Sequence, residues 1–357
     1  MKIVLICFDF GEYAIRLANS LVPEATVLLF VPKSKAEPYL HLLSAPVRLH
    51  LLDEPRLRHG FRQARLVMKM VKLIRAFNPD VVHLQEAHMW FNFVLPLLRK
   101  FPLVVTTHDA MLHPGDMDAR KTPQWLRDRS PRRASQLIVH APQIKESLLK
   151  RLKLPSSNVH IIPHIMIGEP IERQALDDEQ LILFFGRIWE YKGLEYLIRA
   201  EPLVTSRFPQ AKIAIAGKGE DFTRYRRMMS NPERFVICNE YISEEKRTEL
   251  FSRASIVVLP YIEASQSGVI PIAYRFAKPV IATNVGGLPD MVEHGRTGYL
   301  VPPRDETALA NAIIELLQNK DLRNWMGENG RVKVNTTCSP ELVGKLTCSV
   351  YRQAISG

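Results

Sequence analysis

The sequence has few cysteines and no long hydrophobic run. The four cysteines stand at positions 7, 238, 338 and 348, without a Cys-x-x-Cys pair or an accompanying histidine cluster. We therefore expect reduced, mostly buried thiols and no metal site. No apolar run approaches the ~18–20 residues that a membrane-spanning helix needs. The first residues, MKIVLICFDFGEY, are too acidic and too short in their apolar part for a signal peptide, so we expect a cytoplasmic protein that starts with a buried strand.

Acidic residues are outnumbered by basic ones. The 357 residues include 48 Lys and Arg against 37 Asp and Glu, a formal net charge of +11. The excess lies in the first half, where residues 1–178 hold 25 basic and 17 acidic side chains, whereas the remainder holds 23 and 20. This asymmetry indicates an anionic partner for the first half, such as a phospholipid surface, a lipid-linked phosphate or a nucleic acid.

Short apolar runs alternate with helical patterns along the whole chain. The runs are KIVLICF, ATVLLFVP, VVHLQ, LVVTTHD, QLIVHA, HIIPHI, LILFFGR, AKIAIAG, RFVICNEY, SIVVLPY, PVIATN and GYLVP. Helical periodicity covers residues 11–22, 61–77, 142–152, 192–207, 244–253, 305–318 and 340–355. The alternation predicts an α/β fold of βαβ units with parallel sheets. We expect two Rossmann-like domains whose sheets face a central cleft: residues 1–168, with the C-terminal helix 338–357 packed back on them, and residues 169–337.

Candidate site residues follow the predicted strands of the second half. Arg187 and Lys192 lie in the loop between LILFF and the next helix, where two cations suit a diphosphate. Gly217 opens a Gly-x-Gly turn after AKIAIA, which is a weak signal because it serves an ordinary turn equally well.

After SIVVLPY, the chain has a small and polar stretch before a predicted helix 267–277. Its residues are Ser265, Gln266, Ser267, Gly268 and Val269, preceded by Glu263. Backbone N–H groups of such a stretch can hold phosphate or sugar oxygens, although a serine N-cap on a plain helix has the same sequence.

In the first half, polar residues follow the predicted strands. Gly11 follows the first strand, and His108 and Asp109 follow LVVTT. A histidine at this place can donate a hydrogen bond to a sugar hydroxyl or a leaving oxygen. His83 and His164 are weaker candidates of the same kind, since a lone histidine is more often structural.

These stretches together resemble the retaining nucleotide-sugar glycosyltransferases of family 4, which have the GT-B fold of two Rossmann-like domains. The resemblance is strongest over residues 181–318, through GRIWEYKGLEYLIRA, IAGKGED, LFSRASIVVLPY and AKPVIATNVGGLPDMVEHGRTGYLVPPRD. It implies metal-independent transfer of a hexose from a UDP or GDP sugar, with retention, to a sugar or lipid-linked sugar in polysaccharide or glycolipid assembly.

The resemblance also implies roles for the candidate residues. Arg187 and Lys192 would bind the donor diphosphate, Gly11 would lie in a loop facing it, and His108 would face the transferred sugar. His108 and Glu263, with Asp109 as a weaker third, are the candidates for positioning the reactants. The family's usual Glu-Gly-Phe-Gly loop is replaced here by the Ser265–Val269 stretch. Its second glutamate, which usually holds the ribose, falls on Ile272, and this absence supports a non-catalytic binding protein as an alternative. A nucleotide-sugar epimerase of the same fold is a further alternative.

A basic helical stretch in the first half provides a candidate membrane surface. Its cations are Arg58, Arg62, Arg65, Lys69 and Lys72, beside a predicted apolar face of Leu57, Phe61, Ala64, Met68 and Val71. A second basic segment, residues 120–133, carries Trp125 and is expected to be a loop. The helix favours a peripheral enzyme at an anionic membrane face, although its apolar face would equally suit packing on the sheet. No motif or aromatic platform indicates nucleic-acid binding.

Overall fold

A computed structural model describes residues 1–56, 58–86, 88–109, 122–168 and 180–357. The described residues form two compact units. The first contains the described residues up to 167 together with 337–357, and the second contains the others.

The described residues contain thirteen strands. They are β1 Lys2–Cys7, β2 Thr26–Pro32, β3 Arg48–Leu52, β4 Val81–Gln85, β5 Leu103–Thr106, β6 Gln136–Val139, β7 Val159–Ile161, β8 Leu181–Phe185, β9 Lys212–Ala216, β10 Phe235–Cys238, β11 Ile256–Leu259, β12 Val280–Thr283 and β13 Gly298–Val301. Most are apolar and β-branched, as strands covered on both faces are. β3, β7 and β10 are exceptions, because most of their side chains are half-exposed or exposed.

Helices connect the strands. They are α1 Gly11–Leu21, α2 Lys33–Ala36, α3 Gly60–Phe77, α4 Met89–Val94, α5 Gln124–Arg127, α6 Arg129–Arg133, α7 Pro142–Leu152, α8 Leu194–Thr205, α9 Thr223–Arg226, α10 Glu244–Arg253, α11 Val269–Arg275, α12 Leu288–Met291, α13 Glu306–Gln318, α14 Lys320–Thr337 and α15 Pro340–Ser356. Side chains cap several of them: the oxygens of Ser243, Asp305 and Ser339 each accept an N–H from the first turn of α10, α13 and α15.

Each unit has one parallel sheet. The first has the strand order β3-β2-β1-β4-β5-β6-β7, and the second has β10-β9-β8-β11-β12-β13. Both orders contain the doubly wound pattern 3-2-1-4-5-6, in which ligands bind outside the carboxyl ends of the strands where the order reverses. The reversal lies between β1 and β4 in the first unit and between β8 and β11 in the second. The predicted fold of two Rossmann-like units with parallel sheets is confirmed.

The C-terminal helix α15 belongs to the first unit. A Cβ added to Gly344 would lie 2.5 Å from the carbonyl oxygen of Ser20 in α1, so the two helices touch at their backbones. Tyr351 is fully buried, and its hydroxyl lies 2.7 Å from Nδ1 of His83 in β4. Helix α15 therefore covers the sheet of the first unit.

Helix α3 differs from the predicted amphipathic arrangement. It begins at Gly60, so Arg58 precedes it, and Leu57 lies outside the described residues. The buried side is made by Gln63, Val67, Met70, Val71 and Ile74. Of the described residues of the predicted apolar face, only Val71 is buried, while Phe61 is 85% and Met68 42% exposed. The prediction was wrong because the helix packs on the sheet through a neighbouring stripe.

Two further expectations need correction. The described part of the second basic segment is largely helical, since α5 and α6 fill most of residues 124–133. Helix α11 is shorter than the expected 267–277. Within the described residues, no helix is both long and apolar enough to span a membrane.

Candidate functional site

The reversal point of the second unit is formed by two loops. One follows β8 and contains Arg187 and Lys192, and the other follows β11 and contains residues 260–268. β8 and β11 are neighbouring parallel strands, with Ile182 paired to Ile256. Both loops therefore leave the same edge of the sheet side by side, and the chain places its two candidate cations there.

Two tyrosines hold these cations. Nη2 of Arg187 lies 3.3 Å from the hydroxyl of Tyr191. Nζ of Lys192 lies 4.9 Å from the centroid of the Tyr191 ring and 3.6 Å from that of Tyr261. Both tyrosines are buried. An ammonium over an aromatic face is attracted by the ring quadrupole, so Lys192 is fixed by rigid groups while Arg187 is exposed.

The loop after β11 is tied to the same tyrosine. Ser267 is buried, and its Oγ lies 3.3 Å from the Tyr261 hydroxyl and accepts the N–H of Val269 at 3.3 Å. Ser265 accepts the N–H of Gly287 through its carbonyl at 3.2 Å. The predicted loop residues therefore lie next to Tyr261, whose ring holds Lys192. Gln266 is partly exposed between the two serines.

Glycines let the strand-end loops touch. Gly217 has a φ of +146°, and an added Cβ would meet the carbonyl oxygen of Gly186 at 1.9 Å. Gly193 has a φ of +61°, and its Cβ would meet the Pro260 oxygen at 1.9 Å. These glycines are required by backbone contacts. Gly268 differs, because its φ is −67° and its Cβ would meet nothing within 4 Å. The fold does not explain a glycine at 268.

The expected ribose position is apolar and closed. Ile272 is 5% exposed within α11, so its side chain belongs to the core. Glu263 is exposed on the loop before α11, and its backbone N–H is 3.4 Å from the Tyr191 carbonyl. Glu263 is therefore the carboxylate beside this loop that solvent and ligands reach.

In the first unit, a close backbone contact explains why residue 11 is a glycine. It is the first residue of α1 and is buried, and an added Cβ would lie 1.9 Å from the Lys35 carbonyl oxygen. The glycine thus allows α1 to approach the chain after β2 at the reversal point between β1 and β4.

The buried residue His108 lies in a cluster with two half-buried histidines. The ring centroids of His108, His140 and His164 are 4.3–5.3 Å apart, and the Tyr13 ring is steeply inclined to all three, with centroids 5.0–6.1 Å away. Nε2 of His108 lies 3.3 Å from Oε1 of Gln85. Burial lowers the pKa of His140 to about 4 and holds those of His108 and His164 well below the usual value. The three imidazoles are therefore neutral at neutral pH.

Glu86 supports the loop that carries His108. It follows β4 with a φ of +64°, a costly conformation for a residue with a side chain. Its Oε1 accepts the backbone N–H of His108 at 2.8 Å, and its Oε2 accepts Nη2 of Arg127 at 3.3 Å. Burial raises the pKa of Glu86 to about 7, while Arg127 opposes the rise and Asp109 adds to it. Asp109 lines a small cavity together with Glu86 and Arg127.

Sequence reasoning missed several of these partners. Tyr191, Tyr261, Glu86 and His140 were not candidates, and the histidines do cluster in space although the sequence did not indicate it. His108, His140 and His164 follow β5, β6 and β7, which are consecutive neighbours in the sheet. The position of each histidine just beyond a strand end was the available signal.

Family models cover most of the chain. The model described as "Glycosyltransferase Family 4" matches residues 11–165, and that described as "Glycosyl transferases group 1" matches residues 179–319. The α-D-kanosaminyltransferase of Streptomyces kanamyceticus is 26% identical over 288 residues, which is 75% of this chain and 74% of that protein.

Solved structures share the fold over the full length. Sucrose-phosphate synthase from Thermosynechococcus elongatus superposes with a TM-score of 0.74 at 22% identity, covering 100% of this chain and 99% of that one. The Anabaena protein HepE in complex with UDP-glucose gives a TM-score of 0.74 at 16% identity, with 99% of both chains covered. The fold and the matched models define a glycosyltransferase with the GT-B fold. The chain belongs to the family 4 glycosyltransferases.

Proposed function

We propose that this glycosyltransferase uses a UDP-sugar as donor and transfers a hexose with retention of configuration, without a metal ion. The observation that carries the proposal is the pair of cations, Arg187 and Lys192, fixed by Tyr191 and Tyr261 at the reversal point of the second unit. Two cationic groups can neutralise a diphosphate, and these two lie at the carboxyl ends of the strands, where open α/β sheets bind their ligands. UDP is chosen as the nucleotide because the HepE structures were solved with UDP and UDP-glucose.

The proposed chemistry is departure of the nucleoside diphosphate from the face on which the acceptor attacks. Negative charge then develops on the leaving phosphate. Arg187 can bind two oxygens in a fork and Lys192 acts as a point charge, so together they stabilise that charge in place of a divalent cation. Because Lys192 is already held by two rings, little reorganisation is needed when the charge develops.

The nucleoside and the sugar use the neighbouring groups. Glu263, exposed on the loop before α11, is proposed to take the ribose hydroxyls, since buried Ile272 offers no polar atom for them. Ser265, Gln266 and Gly268 are proposed to contact the phosphate and the sugar, and the open space at Gly268 supports close approach of a ligand. For His108, a neutral imidazole in the first unit, the family resemblance supports a hydrogen bond to the transferred sugar.

The acceptor is proposed to be a sugar or lipid-linked sugar met at an anionic membrane face. Helix α3 exposes Arg62, Arg65, Lys69 and Lys72 together with Phe61 and Met68. Exposed basic and apolar side chains on one helix are typical of helices that bind anionic lipid surfaces. The same helix is anchored to the sheet by its buried stripe, so the exposed side is available in the folded unit.

Thermal unfolding with UDP, GDP, ADP and their hexoses tests the donor assignment. Ligand at 100 times its Kd adds about 2.7 kcal/mol to the free energy of unfolding. We expect UDP and one UDP-hexose to raise the Tm of the wild type but not that of Arg187→Ala/Lys192→Ala. Lys212→Ala is the matched control, because Lys212 starts β9 at the opposite end of the sheet. Stabilisation by GDP alone would overturn the choice of base, and no stabilisation of folded protein by any nucleotide would overturn the donor site.

A further inference from the structure

The three histidines that follow β5, β6 and β7 form a constellation of which the proposed transfer reaction uses only His108. One ring nitrogen from each of His108, His140 and His164 lies within 4.8 Å of those of the other two. Three imidazoles from three adjacent strand ends are thereby fixed by the sheet rather than by one loop. Three histidines with a fourth position open are a common ligand set for zinc.

The hydrogen bond of His140 leaves the lone pair of its other ring nitrogen available. Nδ1 of His140 is 2.8 Å from the Ile162 carbonyl, which can only accept, so the proton is on Nδ1 and the lone pair on Nε2. In the part of the chain that the structure describes, this buried Nε2 has no hydrogen-bond partner. A buried polar atom without a partner is costly, and a bound ion would satisfy it.

The surroundings of the cluster match those of a metal site. A ligating histidine usually donates its other N–H to a carbonyl or carboxylate, as His140 does to Ile162. Gln85 Oε1 lies 3.3 Å from Nε2 of His108 and can accept a hydrogen bond from that ring in the same way. Asp109 adds a negative charge that acts on both His108 and His140. His140 and His164 are half-buried, so the cluster lies close to the surface of the first unit.

The geometry needs a small adjustment. Zn–N bonds of 2.0–2.1 Å in a tetrahedron place the nitrogens about 3.4 Å apart, so the nitrogens must approach one another by at most about 1.4 Å. Rotation of the rings about χ2 gives shifts of this size without moving the strands. Imidazole is a ligand for Zn²⁺, Cu²⁺ and Ni²⁺ rather than for Mg²⁺ or Ca²⁺.

We propose that His108, His140 and His164 bind a divalent transition-metal ion of the zinc type, and that occupation of this site inhibits sugar transfer. Inhibition follows because the metal uses a nitrogen of His108 and fixes its ring, which prevents the ring from donating to the sugar. The binding site stands on its own, whereas the inhibition rests on the role proposed above for His108.

Zn²⁺ itself is the probe, measured first without any substrate. Full-length protein is stripped with EDTA, freed of the chelator and titrated against a chromophoric zinc chelator at neutral pH. The tests use a Cys238→Ser background, because Cys238 is partly exposed while the other three cysteines are buried. Co²⁺ titration adds a second readout, since tetrahedral imidazole ligation gives intense visible absorption bands.

Matched variants identify the ligands. His140→Asn retains a donor near the position of Nδ1 for the Ile162 carbonyl and removes Nε2, so it keeps the fold while deleting a ligand. We expect it, and His164→Asn, to weaken Zn²⁺ binding by at least about tenfold, while exposed His41→Asn changes nothing. The proposal is overturned if wild-type protein binds no Zn²⁺, or binds it equally in His140→Asn and His164→Asn.

Inhibition is then measured with the transferase. We expect Zn²⁺ to inhibit the wild type at the concentrations at which it binds, and His140→Asn to keep its zinc-free activity but need at least about ten times more Zn²⁺ for inhibition. Specific binding without inhibition would overturn the regulatory half of the proposal. If no sugar donor supports transfer, the proposed function fails, while the Zn²⁺ and Co²⁺ titrations still decide the metal site.

Discussion

Nζ of Lys192 lies 3.6 Å from the centroid of the Tyr261 ring, and the hydroxyl of that tyrosine lies 3.3 Å from Oγ of Ser267. One buried residue thus connects the cation after β8 with the small-residue loop after β11. The sequence shows Lys192 and Ser267 as separate motifs, and Tyr261 makes them one structure. The position of the ammonium is consequently set by the core rather than by solvent.

Two substitutions of Tyr261 distinguish the role of its ring, which lies under Lys192, from that of its hydroxyl, which contacts Ser267. Tyr261→Phe keeps the ring under Lys192, so we expect UDP to bind within about twofold of wild type. Tyr261→Leu removes a cation–π contact of about 0.5–2 kcal/mol, which corresponds to binding weakened by roughly 2- to 30-fold. Calorimetric Kd values for UDP decide the matter. Wild-type affinity in a folded Tyr261→Leu protein would contradict the role of the ring.

Gly268 and Gly286 make a matched pair of glycines in the second unit. Gly268 has an ordinary φ and open space at its Cβ, so Gly268→Ala should leave the Tm unchanged and lower kcat/KM for the donor. Gly286 has a φ of +51° and its Cβ would lie 1.5 Å from the Ala264 oxygen, so Gly286→Ala should lower the Tm by several degrees. Normal kcat/KM in Gly268→Ala would mean that no ligand approaches this residue.

The buried histidines predict a loss of stability in acid. Burial lowers the pKa of His83 to about 3 and that of His140 to about 4, against about 6.5 in the unfolded chain. Above about pH 6.5 both histidines are neutral in the folded and the unfolded chain, and the free energy of unfolding is at its full value. As the pH falls from there towards the folded-state pKa values, each histidine lowers the free energy of unfolding by up to about 1.4 kcal/mol per pH unit. Urea unfolding in EDTA between about pH 7 and 4.5 should therefore show stability falling with pH.

Glu86 changes the pH dependence of stability in the opposite direction. Its pKa is raised from 4.5 to about 7, so the folded state holds a proton that the unfolded state releases, and stability declines as the pH rises between these values. Glu86→Gln should remove that decline while retaining an acceptor for the His108 N–H. His140→Asn should instead reduce the decrease in the free energy of unfolding as the pH falls. Identical pH profiles for both variants and the wild type would show that neither group is buried as described.

Helix α3 predicts membrane binding with both an electrostatic and an apolar part. Phe61 is exposed beside the basic side chains of Arg62, Arg65, Lys69 and Lys72. We expect co-sedimentation with vesicles rich in phosphatidylserine at low salt, weakened by about 1 kcal/mol for each cation removed. Phe61→Ser should weaken binding, whereas Leu203→Ser, at an exposed apolar site on α8, should not. Equal binding to neutral vesicles would contradict the electrostatic part.

The sequence predicted the units of the fold well because buried parallel strands are almost wholly apolar. LILFF and IVVL are examples that periodicity and β-branching identify directly. The half-exposed strand β3, RLHLL, was missed because its pattern is mixed. The apolar face of α3 was placed on the wrong stripe, since Phe61 and Met68 looked like core residues. Periodicity gives the helix but not which of two adjacent stripes packs on the sheet.

The candidate site was predicted in part. Arg187, Lys192 and the Ser265–Val269 stretch do share one edge of the sheet, because loops after neighbouring parallel strands must. Their supports could not be predicted, since Tyr261 and Glu86 are recognisable only once side-chain contacts are known. The cluster of His108, His140 and His164 joins positions that are far apart in the chain, and only the strand order brings them together.

The central claim is that Arg187 and Lys192 bind the diphosphate of a UDP-sugar. The most direct test is calorimetry with UDP and UMP for the wild type, Arg187→Ala/Lys192→Ala and Lys212→Ala. We predict that UDP binds the wild type and Lys212→Ala at least about tenfold more tightly than UMP, because charge-assisted hydrogen bonds contribute about 1.5–3 kcal/mol each. In the double variant this preference should disappear. A double variant that still prefers UDP over UMP as strongly as the wild type would contradict the account.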